Sequence, residues 1–255
     1  MVKKNLEKIV KRIRADIVQM ISNSQCGHIG GSLSIVEIIA VLHFLVMKKG
    51  DKFILSKGHA ASALYSVLSL KGKIKRKELK SFGKFNSRLQ THPINCVDGI
   101  EIVTGSLGQG LSTALGMALA RKNRVYCLLG DGELQEGQVW EAAMAASHYK
   151  LANLCAIVDV NKLQLDGETK KVMDLGNLKK KFSSFGWKVI SCNGHKISEL
   201  ILAFKEAKKE NKRPQVILAD TVKGKGVSFM ENKVEWHGQI PDEKQKEKAL
   251  EEIWR

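Results

Sequence analysis

Two short apolar runs constrain this chain more than any other feature of its sequence. VYCLLG (125–130) and LCAIVDV (154–160) show no alternation of apolar and polar residues. A strand with one face in water alternates. A run that is apolar throughout belongs in a sheet covered on both faces, which in practice is a parallel sheet between helices. The segment between them, EGQVWEAAMAASHYK (136–150), has the composition of a helix. Strand, helix and strand in this order predict a right-handed crossover. A second unit of the same kind follows: WKVIS (187–191), SELILAFKEAKKE (198–210) and PQVILADT (214–221). Near the N-terminus, Leu6, Ile9, Val10, Ile13, Ile17, Met20 and Ile21 recur at helical spacing. A second helix is expected from Ser34, whose spacing to Glu37 is that of a capping box; it is apolar almost all round and should be buried. Further helices are expected from Gly58 to about Leu70 and over a charged tail, 242–254. The expectation is a single α/β domain over 1–255: a doubly wound, mostly parallel sheet flanked by helices, with a helical N-terminal layer over about 1–50.

Composition narrows the function classes. Hydrophobic residues make up 44% and charged residues 27%, which is ordinary for a globular chain and excludes disorder and fibrous repeats. The longest charge-free apolar run, 38–47, is too short to span a bilayer, and the basic N-terminal segment lacks the apolar core of a signal peptide. Five cysteines, at 26, 96, 127, 155 and 192, form no CxxC pair, which fits reduced thiols and a cytoplasmic location. The net charge of +16 fits nucleic acid, a phosphorylated substrate, or merely a lysine-biased genome. The charge is dispersed, with one cluster at 71–80, and no aromatics interleave with it to stack bases. The reading therefore goes against nucleic acid.

In an open parallel sheet, ligands bind at the carboxyl ends of the strands. Asp131 ends the first apolar run and Asn161 follows the second. Neighbouring strands would bring together a carboxylate and an amide oxygen, a donor pair suited to a hard cation such as Mg²⁺ beside a phosphate. Gly132 permits close backbone approach, and the helix that follows points its N-terminus at the anion. The plainer alternative makes Gly-Asp-Gly a turn and Asn161 a helix cap. A glycine-rich segment, TGSLGQGLS (104–112), leads into another helix and fits either a ligand loop or simple helix–loop packing. His28, His59, His92 and His237 each stand beside Gly or Pro in expected loops, where they suit recognition of phosphate or hydroxyl oxygens. Zinc is the competing idea, but none of the four has paired ligand spacing. His43 and His148 fall within helices and are assigned to packing or surface; His195 is expected in a loop without a role.

The segments GDGELQEGQVWEA (130–142), AIVDVNKL (156–163), TGSLGQGL (104–111), LSKGHAA (55–61) and KGKGVSFMENKVEWHG (223–238) resemble the N-terminal, diphosphate-binding part of transketolase, over about 21–241. The Gly-Asp-Gly plus downstream Asn pattern marks thiamine-diphosphate enzymes in general; the GSLGQG and SKGHAA segments are more specific to transketolase. The resemblance implies thiamine diphosphate and Mg²⁺ as cofactors, with Ca²⁺ or Mn²⁺ as substitutes for the metal. It implies Asp131, Asn161 and the Leu163 carbonyl as metal ligands. His59, Gly105, Ser106, Leu107, Gly132, Asn161, Lys223 and His237 would contact the cofactor. His28, His92 and His237 would address the sugar's oxygens as catalytic residues. Glu136 and Glu141 resemble acids buried near a subunit interface, or else are exposed first-turn acids favoured by the helix dipole. The implied reaction moves a two-carbon ketol unit from a ketose phosphate, such as xylulose 5-phosphate, to an aldose phosphate, such as ribose 5-phosphate.

Transketolase carries the glutamate that activates the cofactor in a second domain, and nothing here is long enough to form that domain. The expectation is the N-terminal subunit of a split enzyme, with a separate C-terminal subunit in an α₂β₂ assembly; a piece of a longer protein is the alternative. Ile29, Thr91, Val234 and Gln239 depart from the commoner family pattern and bear on which sugar is used. A related ketol transferase half with a specialised sugar acceptor, and a non-catalytic anion- or nucleic-acid-binding module, are the other function classes.

Overall fold

The computed structural model describes residues 2–255, with side chains from residue 5 onward. The chain opens with three helices, α1 (Val2–Ser24), α2 (Ile29–Leu33) and α3 (Val36–Val41), the last running into a π-helical turn, Leu42–Val46. Strand β1 (Lys52–Leu55) and helix α4 (Ala61–Leu70) follow. After a long loop segment come α5 (Gln109–Leu119), β2 (Val125–Gly130), α6 (Gly137–His148) and β3 (Leu154–Val160). Two short helices, α7 (Thr169–Val172) and α8 (Leu178–Ser184), lead to β4 (Lys188–Asn193), α9 (Ile197–Lys209) and β5 (Gln215–Asp220). The chain closes with α10 (Glu243–Trp254), where Asp242 and Gln245 form a reciprocal capping box. Among the described residues, no helix is long and apolar enough to cross a membrane.

All strand pairings are parallel, in the order β1-β2-β3-β5-β4. The apolar runs behave as the lack of alternation predicts. Tyr126, Leu128, Cys155, Ile157, Ile217 and Ala219 join one core with α1, α3, α4 and α9. Val125, Cys127, Leu129, Leu154, Ala156, Val158, Val216 and Leu218 join a second core with α5, α6 and the Phe182–Trp187 segment. Successive side chains alternate between faces, and both faces are dry. A fully buried Val, Leu or Ile contributes about 1.5–3 kcal/mol, so two covered faces outweigh the weak strand propensity of Ala156.

Three expectations need correction. The sheet gains β1 at its edge, a four-residue strand whose KFIL sequence is too short to read as one. Ser34 does not cap a helix: it ends α2, and its hydroxyl donates to Asp159 Oδ2 at 2.6 Å, with the Gly31 carbonyl 3.1 Å away as the competing acceptor. Helix α3 starts two residues later with no side-chain cap, because Glu37 is engaged by Arg14 and His195. His195 is not an idle loop residue, since both of its ring nitrogens are bonded inside the protein. His43 packs against Phe53 with ring centroids 4.8 Å apart, burial lowering it to about 3, whereas His148 lies exposed on α6.

Candidate active site

Because every strand is parallel, the carboxyl ends of β2 and β3 share one edge, and each delivers a polar residue there. Asp131 lies just beyond β2 and its N–H donates to the Asp159 carbonyl at 3.1 Å, so the two strand ends remain in register. Its carboxylate accepts from the Gly132 N–H at 2.8 Å and from the Lys162 N–H at 2.6 Å. The second bond ties it to the residue after Asn161. Asn161 Oδ1 accepts from the Leu163 N–H at 3.0 Å, while its Nδ2 donates to Asp159 Oδ2 at 2.9 Å. Asp131 therefore carries two backbone donors and no cationic side chain. Burial, with the nearby Asp159 charge second, raises its carboxyl to about 6.

The loop after β3 turns back so that Leu163 bridges to Glu168. The carbonyls of Leu163 and Gln164 face Lys223, whose ammonium donates to them at 3.3 and 3.4 Å. Lys223 is buried and also donates to His237 Nδ1 at 2.8 Å. A lysine ammonium only donates, so His237 must carry its proton on Nε2. Burial, then the Lys57 charge, lowers Lys223 to about 8.

The four histidines expected in separate loops converge. The ring centroid of His28 lies 5.5 Å from His59, 5.5 Å from His92 and 5.4 Å from His237, and His59 lies 5.4 Å from His237. His59 and His237 sit in single 3₁₀ turns, Gly58–Ala60 and Glu235–His237, and not in open loops. Burial lowers His28 to about 4 and His237 to about 3, and also lowers His59 and His92. All four are neutral at neutral pH. His28 Nδ1 is buried and has no hydrogen-bond partner among the described residues. Helix α2 approaches this cluster closely: a Cβ on Gly31 would stand 3.1 Å from His59 Nε2.

A cavity of about 270 Å³ unites most of these groups, among them His59, Leu107, Asp131, Gly132, Asn161, Leu163, Lys223 and His237. His28 and His92 reach this cavity only through the imidazole cluster. Gly105 and Ser106 are exposed and do not line this cavity, and a Cβ on Gly105 would meet His92 at 3.3 Å. Glu136 and Glu141 are exposed in this chain. A larger hollow, about 650 Å³, lies at the ends of β4 and β5 beside Asn177, Cys192, Glu199 and Asp220. It is an open groove without imidazoles, and size alone is a poorer guide than the convergence of polar groups. Among the described residues, no three His, Cys, Asp or Glu side chains group as a metal site. The donor set at the strand ends consists instead of one carboxylate, one amide oxygen and one backbone carbonyl.

Sequence reasoning missed two buried carboxylates that shape this cavity. Asp159 accepts from Lys57 at 2.5 Å, from Ser34, from Asn161 and from Thr221. Burial pushes its carboxyl up, but Lys57 and the hydroxyl donors outweigh this and hold it below the usual range. Asp159 thereby fixes which face of the Asn161 amide is oxygen. Glu133 accepts from the Ser56 hydroxyl, from the Gly108 N–H at 2.9 Å and from the Gly130 N–H at 3.0 Å. It ties the ends of β1 and β2 to the glycine-rich loop, where Gly108 has φ +85°. The available signal was a lone charge at position 159 in an apolar run, and a lysine next to Gly58-His59.

Known proteins match this chain in sequence and in fold. Residues 5–253 match the family described as transketolase, thiamine diphosphate binding domain. The chain is 41% identical to one of the subunits of the apulose-4-phosphate transketolase of Phocaeicola vulgatus, covering 97% of this chain and 93% of that protein. It is also 41% identical to the 6-deoxy-6-sulfo-D-fructose transketolase subunit SqwG of a Clostridium species, covering 95% and 91%. Human transketolase is 39% identical over 98% of this chain, which spans 42% of that protein. The crystal structure of Campylobacter jejuni transketolase superposes with a TM-score of 0.92 at 32% identity, covering 98% of this chain and 42% of that one. The chain thus spans about two fifths of those longer transketolases. With its parallel sheet, its strand-end Asp131 and Asn161 and its glycine-rich loop, the chain belongs to the transketolase family and represents its thiamine-diphosphate-binding domain.

Proposed function

We propose that residues 1–255 form one domain that acts as the diphosphate-binding subunit of a ketol transferase. The observation that carries this reading is the convergence of four neutral imidazoles, drawn from four separated segments, beside the strand ends of Asp131 and Asn161. The donors fit the group the family binds. Asp131, Asn161 and the Leu163 carbonyl offer only oxygen, which suits Mg²⁺, and Ca²⁺ or Mn²⁺ in its place. Burial disfavours charge on Asp131, and a divalent cation would reverse that. His59, Gly105, Ser106, Leu107, Gly132, Lys223 and His237 would hold the cofactor. When bound, thiamine diphosphate supplies the electron sink that breaking a ketose between C2 and C3 requires.

The remaining work belongs to this chain's side chains. His28, His92 and His237 would bind the sugar's hydroxyl and carbonyl oxygens. Neutral imidazoles do this by donating and accepting hydrogen bonds without repelling a nearby cation. His237 presents an Nε2–H because Lys223 occupies its other nitrogen. Lys223, unlike the imidazoles, offers positive charge to a phosphate, and its own burial keeps that charge weakly screened.

The enzyme would be completed by a separate C-terminal subunit that supplies the cofactor-activating glutamate, in an α₂β₂ assembly. Support comes from the relatives named as transketolase subunits, which this chain matches over more than nine tenths of their length. A cytoplasmic location belongs to the same reading and is supported by five free cysteines. The donor and acceptor in the first reading are pentose phosphates such as xylulose 5-phosphate and ribose 5-phosphate. A second reading, a specialised sugar, is favoured by those relatives' names, which specify apulose 4-phosphate and a sulfonated fructose. One experiment tests both. The chain is assembled with a C-terminal transketolase subunit, sought in the neighbouring reading frames, and screened against phosphorylated and sulfonated ketoses. Ketol transfer is expected only in the assembly, and transfer by the chain alone at full rate would end the subunit reading.

A further inference from the structure

A part-buried chain of bonds runs through Arg14, Glu37 and His195 and touches none of the side chains assigned above. Arg14 Nη2 donates to Glu37 Oε1 at 2.6 Å, and its Nε donates to the Lys225 carbonyl at 2.9 Å. Glu37 Oε2 stands 3.1 Å from His195 Nδ1. His195 Nε2 accepts the backbone N–H of Val222 at 2.8 Å. A backbone N–H can only donate, so Nε2 bears no proton and the ring's hydrogen lies on Nδ1, pointing to Glu37. Both ends of the imidazole are thus committed, one to a buried carboxylate and one to the main chain. His195 is itself held, since its own N–H donates to Asn193 Oδ1 at 2.8 Å.

What this chain of bonds grips is the segment that carries Lys223. Val222 is anchored by His195, Lys225 by Arg14, and between them the Gly224 N–H donates to the Gly30 carbonyl at 3.0 Å. Lys223 rides between these anchors and sends its side chain to the Leu163 and Gln164 carbonyls and to His237. A lysine side chain has four rotatable bonds and no directional fork of its own, so its aim depends on where its backbone is held. We infer that His195 is a positioning residue for Lys223, acting through the Val222 N–H as an Nδ1-protonated imidazole backed by Glu37 and Arg14. This rests on the reading of Lys223 as a contact to the cofactor's phosphates.

Nitrogen-15 NMR of the full chain at neutral pH tests the tautomer directly. The expected spectrum has the His195 proton on Nδ1; a proton on Nε2 overturns the inference. Thiamine diphosphate affinity in the assembled, Mg²⁺-supplied enzyme tests the route. His195→Phe keeps the volume and drops the acceptor, and should weaken binding about tenfold, the size of one buried hydrogen bond lost. His195→Gln offers an amide oxygen to Val222 and should recover most of the affinity. In a Lys223→Ala background, His195→Phe should cause no further loss. If Gln is as poor as Phe, or the two losses multiply, His195 merely supports the fold. If Lys223→Ala weakens binding and His195→Phe does not, the inference fails alone. If Lys223→Ala changes nothing, the reading of the site fails and the inference falls with it.

Discussion

Two buried aspartates stand one strand apart, and their surroundings are opposite. Asp159, the penultimate residue of β3, is surrounded by donors: an ammonium, two hydroxyls and an amide, all from the protein. Asp131, just beyond β2, accepts two backbone N–H groups and faces a cavity with no cationic side chain bonded to it. Burial acts on both, yet Asp159 is held below the ordinary carboxylate range while Asp131 is raised to about 6. The difference separates a charge whose partners are all supplied by the fold from one that, in the function proposed above, would meet a ligand.

The contrast can be broken by substitution. Asp159→Ala leaves the ammonium of Lys57 buried without its partner, and should lower unfolding free energy by about 3–5 kcal/mol in urea titrations. A loss below about 1 kcal/mol would mean that Lys57 finds another partner or reaches water. Asp131→Asn removes charge with no cationic partner left behind, and should cost only about 1–2 kcal/mol of stability. Its effect should instead fall on Mg²⁺-dependent thiamine diphosphate binding, weakened about 100-fold or more by calorimetric titration. Unchanged binding in that variant would remove Asp131 from the proposed set of metal ligands.

A third buried carboxylate sharpens the comparison through pH. Burial pushes Glu37 up, but Arg14 and His195 outweigh it and hold the carboxyl below its ordinary 4.5. Its contribution to stability is therefore whole above about pH 4.5 and is lost as pH falls through the lower, folded value. Each proton taken up on unfolding tilts stability by about 1.4 kcal/mol per pH unit. Glu37→Gln should flatten the acid limb of a stability–pH curve, and an unaltered slope would show that Glu37 does not titrate there. At the lower end of the scale, Asp242 is a carboxylate on the surface that caps α10 through one backbone N–H. Asp242→Ala should cost about 1 kcal/mol in thermal unfolding and leave cofactor binding alone.

Much of this was legible in the sequence because it depends on local pattern. The apolar runs at 125–130 and 154–160 became strands with those bounds, and the helical spacing of Leu6 to Ile21 became the core-facing side of α1, with Ile9 only partly buried. Asp131 and Asn161 were readable because a polar residue directly after a buried parallel strand lands at the carboxyl end of the sheet. Ser34 was misread for the opposite reason. Its spacing to Glu37 suits a cap, but two distant partners, Asp159 and the Arg14–His195 pair, compete for the two side chains and prevail. Lys57, Glu133 and His195 were not picked out as functional candidates, because their partners lie 102, 77 and 158 residues away.

The sequence alone determined which segments must be buried on both faces, and hence a parallel sheet whose strand ends carry an acid and an amide. Hydrophobic burial is proportional to area and indifferent to direction, so it can be read residue by residue. Only the tertiary structure decided which charges face one another. Hydrogen bonds and ion pairs depend on distances of about 3 Å between groups far apart in the chain, and no local spacing encodes them. That is why four histidines could be picked out one at a time, while their meeting around His28 and the bridge from His195 to Val222 appear only once the chain is folded.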